Sequence, residues 1–202
     1  MTRVTPPTIV NVGYRSTNYW VVSAGTSRLL VDIGRPRTIG TMKANLKRMG
    51  VPFTEIRYAL PTHYHIDHAG LAGELKREGV PLLVLEVQVD AIPIMKSWTK
   101  PWDNYVEITT DGNVTISFEG SRHLLNRIGV AGEILHTPGH SDDSVSLLLD
   151  DGSAFTGDLP PEAYSWDNPA ALESWRLLRE GGATQVYPAH GPVRPIDPGP
   201  VP

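Results

Sequence analysis

Thr62-His63-Tyr64-His65-Ile66-Asp67-His68-Ala69-Gly70 sets four metal-ligand side chains within six residues. His63 and His65 are two apart, so an extended segment projects both to one side. Asp67 and His68 follow where the chain turns toward a helix carrying Leu71 and Leu75. One segment thus offers two imidazoles in one direction, then a carboxylate and an imidazole in another. That grouping suits two adjacent cations, and clusters of this kind read as metal sites rather than as scattered surface histidines.

Three further candidates stand singly downstream. They are His140 in Thr137-Pro138-Gly139-His140-Ser141, Asp158 in Thr156-Gly157-Asp158, and His190 in Tyr187-Pro188-Ala189-His190-Gly191. Each follows an apolar strand and is flanked by glycine or proline, and tight turns at strand ends are a common place for functional groups. Taken one at a time, each reads equally well as a structural residue.

Around these motifs, periodicity predicts strands over 8–14, 18–24 and 29–33 as a meander, then a helix through Ile39, Met42, Leu46 and Met49 closed by Gly50. A short strand over 56–60, a helix ending at Gly79, a strand over 81–85 and a short helix over 86–95 follow. Residues 96–130 are the least readable, apart from an alternating strand at Val114, Ile116 and Phe118. Strands are predicted over 133–136, 144–149 and 153–156, the last two joined by an Asp150-Asp151-Gly152 turn. Asn168-Pro169 starts a helix as N-cap and first residue. A strand over 185–187 precedes residues 192–202, whose five prolines read as an extended tail beyond a single domain spanning 1–191. Each half has a meander followed by a helix, a pattern suited to packed sheets with helices outside. No sequence repeat is evident.

The chain has 202 residues, 40% apolar and 20% charged, enough for one well-filled core. A net charge of −4 and a pI near 5.9 argue against a nucleic-acid or anionic-membrane surface. With no cysteine, disulfides, thiolate metal sites and cysteine nucleophiles are excluded. The first twelve residues lack the apolar run of a signal peptide, and no stretch has transmembrane length. A cytoplasmic protein acting on a small molecule is the expectation, with a homodimer as the only macromolecular partner considered.

The ordered set His-x-His-x-Asp-His, then His140, Asp158 and His190, resembles the metallo-β-lactamase superfamily. The resemblance runs from Leu30-Val31-Asp32-Ile33-Gly34 to His190-Gly191-Pro192. It implies an α/β fold, a four-layer αββα sandwich with the metals at one edge of two sheets. It also implies that His63, His65 and His140 bind one metal, that Asp67, His68 and His190 bind a second, and that Asp158 bridges them. Imidazoles and carboxylates suit two zinc ions, or iron or manganese. A hydroxide held by such a pair would attack a thioester, ester, lactone or amide carbonyl, with Asp67 orienting the nucleophile or taking its proton.

Asp158 resembles the glyoxalase II, lactonase and phosphodiesterase branches, since β-lactamases usually have cysteine or serine there. His65 departs from the flavodiiron pattern. The short stretch after His190 departs from the helical region of glyoxalase II. Persulfide dioxygenases, with one iron on the equivalents of His63, His140 and Asp158, are the alternative from another reaction class. Asp32 reads either as a carboxylate orienting a metal-bound imidazole or as a strand-end turn residue. Thr62 and Thr137 are weaker candidates for that orienting role. Tyr64, Trp98, Trp102 and Tyr164 are candidate substrate contacts. For Trp98 and Trp102, as for Tyr105, packing in the core or at a dimer contact is the competing reading.

Overall fold

The computed structural model describes residues 7–198. Its two main sheets repeat one plan. In the first, β1 (Thr8–Asn11), β2 (Trp20–Ala24) and β3 (Ser27–Val31) form an antiparallel meander. Helix α1 (Ile39–Arg48) then carries the chain over to β4 (Ile56–Leu60), which lies parallel to β3. In the second, β7 (Gly132–His136), β8 (Val145–Leu149) and β9 (Ser153–Gly157) form the meander. Helix α6 (Pro169–Glu180) leads to β10 (Gln185–Pro188), parallel to β9.

The period-2 pattern of the strands separates three apolar layers. Val21, Leu30 and Ala59 face the first, with Met42 and Leu46 of α1 and with Leu75 of α3 (Ala72–Arg77). Trp20, Val22, Leu29, Val31 and Leu60 face the second, where they meet Leu147, Leu149 and Phe155 of the opposite sheet. Leu148, Ala154 and Val186 face the third and are covered by Ala171, Trp175 and Leu178 of α6. Helix, sheet, sheet, helix is the αββα order.

Between the halves run α2 (Ile66–Ala69), a short parallel pair of β5 (Leu83–Leu85) with β6 (Val114–Ile116), and α4 (Ala91–Trp98). Three expectations change here. The helix expected over 86–95 is a 3-10 turn, Glu86–Gln88, followed by α4. The strand expected to reach Phe118 stops at Ile116, and Phe118 opens α5 (Phe118–Arg127). Ser117 is the cause, because its Oγ accepts from the Gly120 N–H at 3.2 Å and caps the helix. The stretch from Pro192 is not simply a tail either. Arg194–Pro195 forms β11, antiparallel to β10 on the sheet edge, where a proline costs no ladder bond. Residues 199–202, the end of that stretch, lie outside the described residues.

β3 and β4 end at the same edge of one sheet, and β7, β9 and β10 end together in the other. Cross-sheet bonds lock those ends. The Val145 N–H donates to the Thr62 carbonyl (2.8 Å), and the Asn18 N–H donates to the Ala189 carbonyl (2.7 Å). The Trp20 indole donates to the Pro188 carbonyl (3.1 Å). Every candidate ligand lies just past one of these strand ends.

Candidate metal centre

The seven side chains singled out in the sequence converge. His63 and His65 follow β4, Asp67 and His68 sit in α2, His140 follows β7, Asp158 follows β9, and His190 follows β10. Three sets each bring their ligand atoms within 4.8 Å of one another: His63 with His65 and His140, His63 with His68 and Asp158, and Asp67 with His68 and His190. His65 Nδ1 lies 3.0 Å from His63 Nε2 and 3.0 Å from His140 Nε2. Asp158 Oδ2 reaches toward both groups, 3.2 Å from His68 Nε2 and 3.7 Å from His140 Nε2, while its Oδ1 is 3.4 Å from His190 Nε2. His190 Nε2 lies 3.5 Å from Asp67 Oδ2.

The surroundings fix which ring nitrogens face inward. Asp32 sits just past β3 with φ +56°, a left-handed conformation that aspartate tolerates better than most residues. Its Oδ1 accepts from the Thr62 N–H (2.8 Å) and the Thr62 hydroxyl (2.9 Å). The Thr62 hydroxyl proton is therefore spent, so the 3.2 Å contact from His63 Nδ1 has the imidazole as donor. His63 Nε2 is left with a lone pair aimed at the site. Likewise His190 Nδ1 donates to the Ser16 carbonyl (2.7 Å), which frees its Nε2. Asp32 Oδ2 lies 3.2 Å from His68 Nδ1 and favours the same tautomer there. Such outer carboxylates and carbonyls orient metal-bound imidazoles. Asp32 thus stands at a strand end and also faces the His68 imidazole. Thr137 does not act this way, since its hydroxyl bonds to Ser146 Oγ at 2.7 Å.

A metal fits these donors on three counts. Ligands about 2.0–2.1 Å from a tetrahedral cation stand about 3.3 Å apart, close to the observed spacing. His63 Nε2, His65 Nδ1 and His140 Nε2 crowd together, with His65 Nδ1 3.0 Å from each of the other two, and the His63 nitrogen brings a lone pair rather than a proton. Both ring nitrogens of buried His68 and Oδ1 of Asp158 make no well-directed hydrogen bond within the protein. Electrostatics agrees. Burial, reinforced by the neighbouring imidazoles, holds His63 well below the ordinary histidine value and so keeps it neutral. Burial also lowers His140. At His68 burial pulls the pKa down, but Asp32 and Asp158 outweigh it and push it up to about 10. Those two carboxylates favour positive charge at this point of the site. For Asp158 burial opposes ionisation, while the close approach and charge of His68, with His190 and His140, hold it below the ordinary value.

The substrate candidates are dispersed. Tyr64 is buried in the first core layer, and its N–H donates to Asp143 Oδ2 at 2.7 Å. Its phenol, raised by burial, meets no partner. Trp98 is half exposed and sets its ring edge-on to His65, centroids 5.0 Å apart. It walls a groove of about 550 Å3 with Val87, Ala91, Ile94, His65 and His140. Trp102 stands in a different cavity, beside Arg35, and Tyr164 lies exposed on a 3-10 turn after β9. Tyr105 is partly buried against the first core layer. Two supporting residues escaped the sequence reading. Buried Gln88 donates to the carbonyls of Pro61 (3.0 Å) and Thr62 (3.2 Å) and accepts from the Leu85 N–H (3.1 Å). Asp143 anchors the chain between His63 and His65 through the Tyr64 N–H.

The sequence profile of the Metallo-beta-lactamase superfamily matches residues 12–191. The chain belongs to this superfamily. Among its members, a beta-lactamase-like protein 2 homolog of Caenorhabditis elegans is 28% identical over 185 residues, 89% of this chain and 57% of that protein. The atrochrysone carboxyl ACP thioesterase of Aspergillus terreus is 27% identical over 186 residues, 89% of this chain and 50% of the relative. The chain therefore spans about half the length of these curated relatives. The fold is also shared with TTHA1623, solved in a di-iron-bound form. That structure matches with a TM-score of 0.69 and 22% identity, over 94% of each chain.

Proposed function

We propose that the chain is a dinuclear metal-dependent hydrolase that cleaves an ester-type carbonyl bond, a thioester in preference to an ester, lactone or amide. The observation that carries this reading is the pair of donor sets, His63 with His65 and His140 and Asp67 with His68 and His190, with Asp158 reaching toward both and with outer partners beside His63, His68 and His190. His63, His65 and His140 would hold one cation, and Asp67, His68 and His190 the other, with Asp158 between them. Zinc suits the donors, as do iron and manganese. When bound, such a pair supplies an acidified water and a Lewis acid for a carbonyl oxygen.

The protein's own groups do the rest. Asp67 orients the attacking water and accepts its proton, and Arg35, with Nη2 3.7 Å from Asp67 Oδ2, steadies that carboxylate. Asp32 and the Ser16 carbonyl keep imidazole protons on the outer nitrogens. The groove of Val87, Ala91, Ile94 and Trp98 beside His65 and His140 favours an apolar acyl group. A relative named as a thioesterase supports the choice of a thioester. The substrate is a small molecule and the setting cytoplasmic; among the described residues no helix is long and apolar enough to cross a membrane.

Metal analysis of the purified protein, with a panel of thioester, lactone, β-lactam and phosphodiester substrates, tests the reading. About two metals per chain and thioester turnover are expected. His63→Ala and Asp158→Ala should each abolish turnover while leaving the circular dichroism of the fold intact. One iron per chain with oxygen uptake, the persulfide dioxygenase pattern, would overturn it. So would hydrolysis surviving in both variants.

A further inference from the structure

Separate from the apolar groove, and sharing no lining residue with it, is a cavity of about 470 Å3 walled by Arg15, Arg35, Arg37, Thr38, Thr41 and Trp102. Three guanidinium groups share this cavity on a chain whose net charge is −4. One carboxylate, Asp103, also stands on the wall, and its Oδ2 accepts from the Lys100 N–H at 2.7 Å. Arg35 faces Asp67, whereas Arg15 lies over the ring of Tyr14, 5.4 Å from its centroid. Among the described residues, the guanidinium groups of Arg15 and Arg37 meet no carboxylate. The first turn of α1 opens on the same space and holds no acidic residue.

The cavity adjoins the reacting centre at two points. Arg35 touches Asp67, and Ser16, next to Arg15, holds His190. It therefore serves the Asp67, His68 and His190 side, while the groove of Trp98 serves the His65 and His140 side. Gathering like charges is unfavourable unless an anion joins them. A single carboxylate engages one guanidinium fork, whereas phosphate offers oxygens to several.

We propose that this cavity binds phosphate carried by the substrate's leaving group, so that the substrate is an apolar acyl thioester of a phosphorylated thiol. The proposal rests on the hydrolase reading above. The acyl group lies in the Trp98 groove and the thiol arm runs past Asp67 to the arginines. Water adds to the carbonyl carbon and the C–S bond breaks. One water proton ends on the thiol, and the other is released as the new acid ionises.

The test compares one acyl group on two thiols, a phosphorylated pantetheine thiol and unphosphorylated N-acetylcysteamine, in the wild type and in the Arg15→Gln, Arg37→Gln double variant. Glutamine keeps a long polar side chain at two positions with φ near +60°. The wild type should favour the phosphorylated thioester by about ten- to hundred-fold in kcat/KM, mostly through KM. The double variant should lose that preference and hydrolyse the N-acetylcysteamine thioester at the wild-type rate. Equal wild-type rates, or a preference that survives in the variant, would overturn the proposal. If neither thioester is cleaved, the hydrolase reading is at fault, and calorimetric titration with inorganic pyrophosphate judges the cavity alone. Binding that the double variant loses upholds the anion site, and no binding by the wild type refutes it. An oligonucleotide that binds more tightly than pyrophosphate at equal phosphate concentration would also refute it.

Discussion

Asp32 shows how much one side chain decides. It stands buried in a left-handed conformation and accepts both Thr62 donors while facing His68 Nδ1. Asn keeps the shape and tolerates the same backbone, so Asp32→Asn should fold. Its amide must still accept from Thr62 through the carbonyl oxygen, which turns the NH2 group toward His68. A donor facing Nδ1 favours the wrong tautomer, with the proton on the nitrogen that should bind metal. Metal affinity should fall about 10- to 100-fold, as for other outer partners of ligating histidines. A chelator competition titration reads this directly, and unchanged affinity would remove Asp32 from the positioning role. A second residue-scale prediction concerns Gly157, at φ +56°, where an added Cβ would stand 2.3 Å from Thr62 Oγ1. Gly157→Ala should shift both Thr62 and the adjacent Asp158, cutting metal content as well as lowering the melting temperature.

At the scale of elements, legibility followed the source of each element's order. β1 to β4 and β7 to β10 carry short apolar runs bounded by turn residues, and they lie near where those runs put them. The His63 to His68 run was equally plain, because its chemistry is local. α5 was missed because the alternation of Val114, Ile116 and Phe118 continued across a boundary that Ser117 sets with its side chain. The signal was present in the cap, in buried Leu124 and Leu125, and in Gly129 with φ +80° beyond the helix end. Gln88 had no such signal, since its partners Pro61 and Thr62 are distant in sequence. These two residues separate stability from function. Ser117→Ala should cost about 1 kcal/mol with turnover unchanged. Gln88→Ala leaves the Pro61 carbonyl and the Leu85 N–H without this buried partner, each costing about 1–3 kcal/mol, while the Thr62 carbonyl keeps its bond from Val145. Because those carbonyls precede His63, it should also lower kcat. Urea denaturation with steady-state kinetics compares the two, and a Gln88 variant with normal kcat would make that residue purely structural.

For the whole molecule, the decisive fact is that neither half owns the site. His63, His65, Asp67 and His68 come from the first half, and His140, Asp158 and His190 from the second. The αββα architecture was readable because each half repeats a meander, a helix and a parallel strand. How the two halves meet was not readable. It depends on a few cross-sheet bonds, such as Val145 to Thr62 and Asn18 to Ala189, that leave no periodicity behind. Cations held by both halves would tie these sheets at their shared edge, and a ligand that binds only the folded chain raises its stability by mass action. At a metal concentration about a thousand times Kd the gain is about 4 kcal/mol, on the order of 10 °C in melting temperature for a chain of this size. Stripping with a chelator should lower the melting temperature by that order, and zinc should restore it. Hydrogen exchange should then quicken at the ends of β4, β9 and β10 while the middle strands of both sheets stay protected. If melting is the same with and without metal, the seven groups do not join the two halves through a cation, and the centre cannot be built as described.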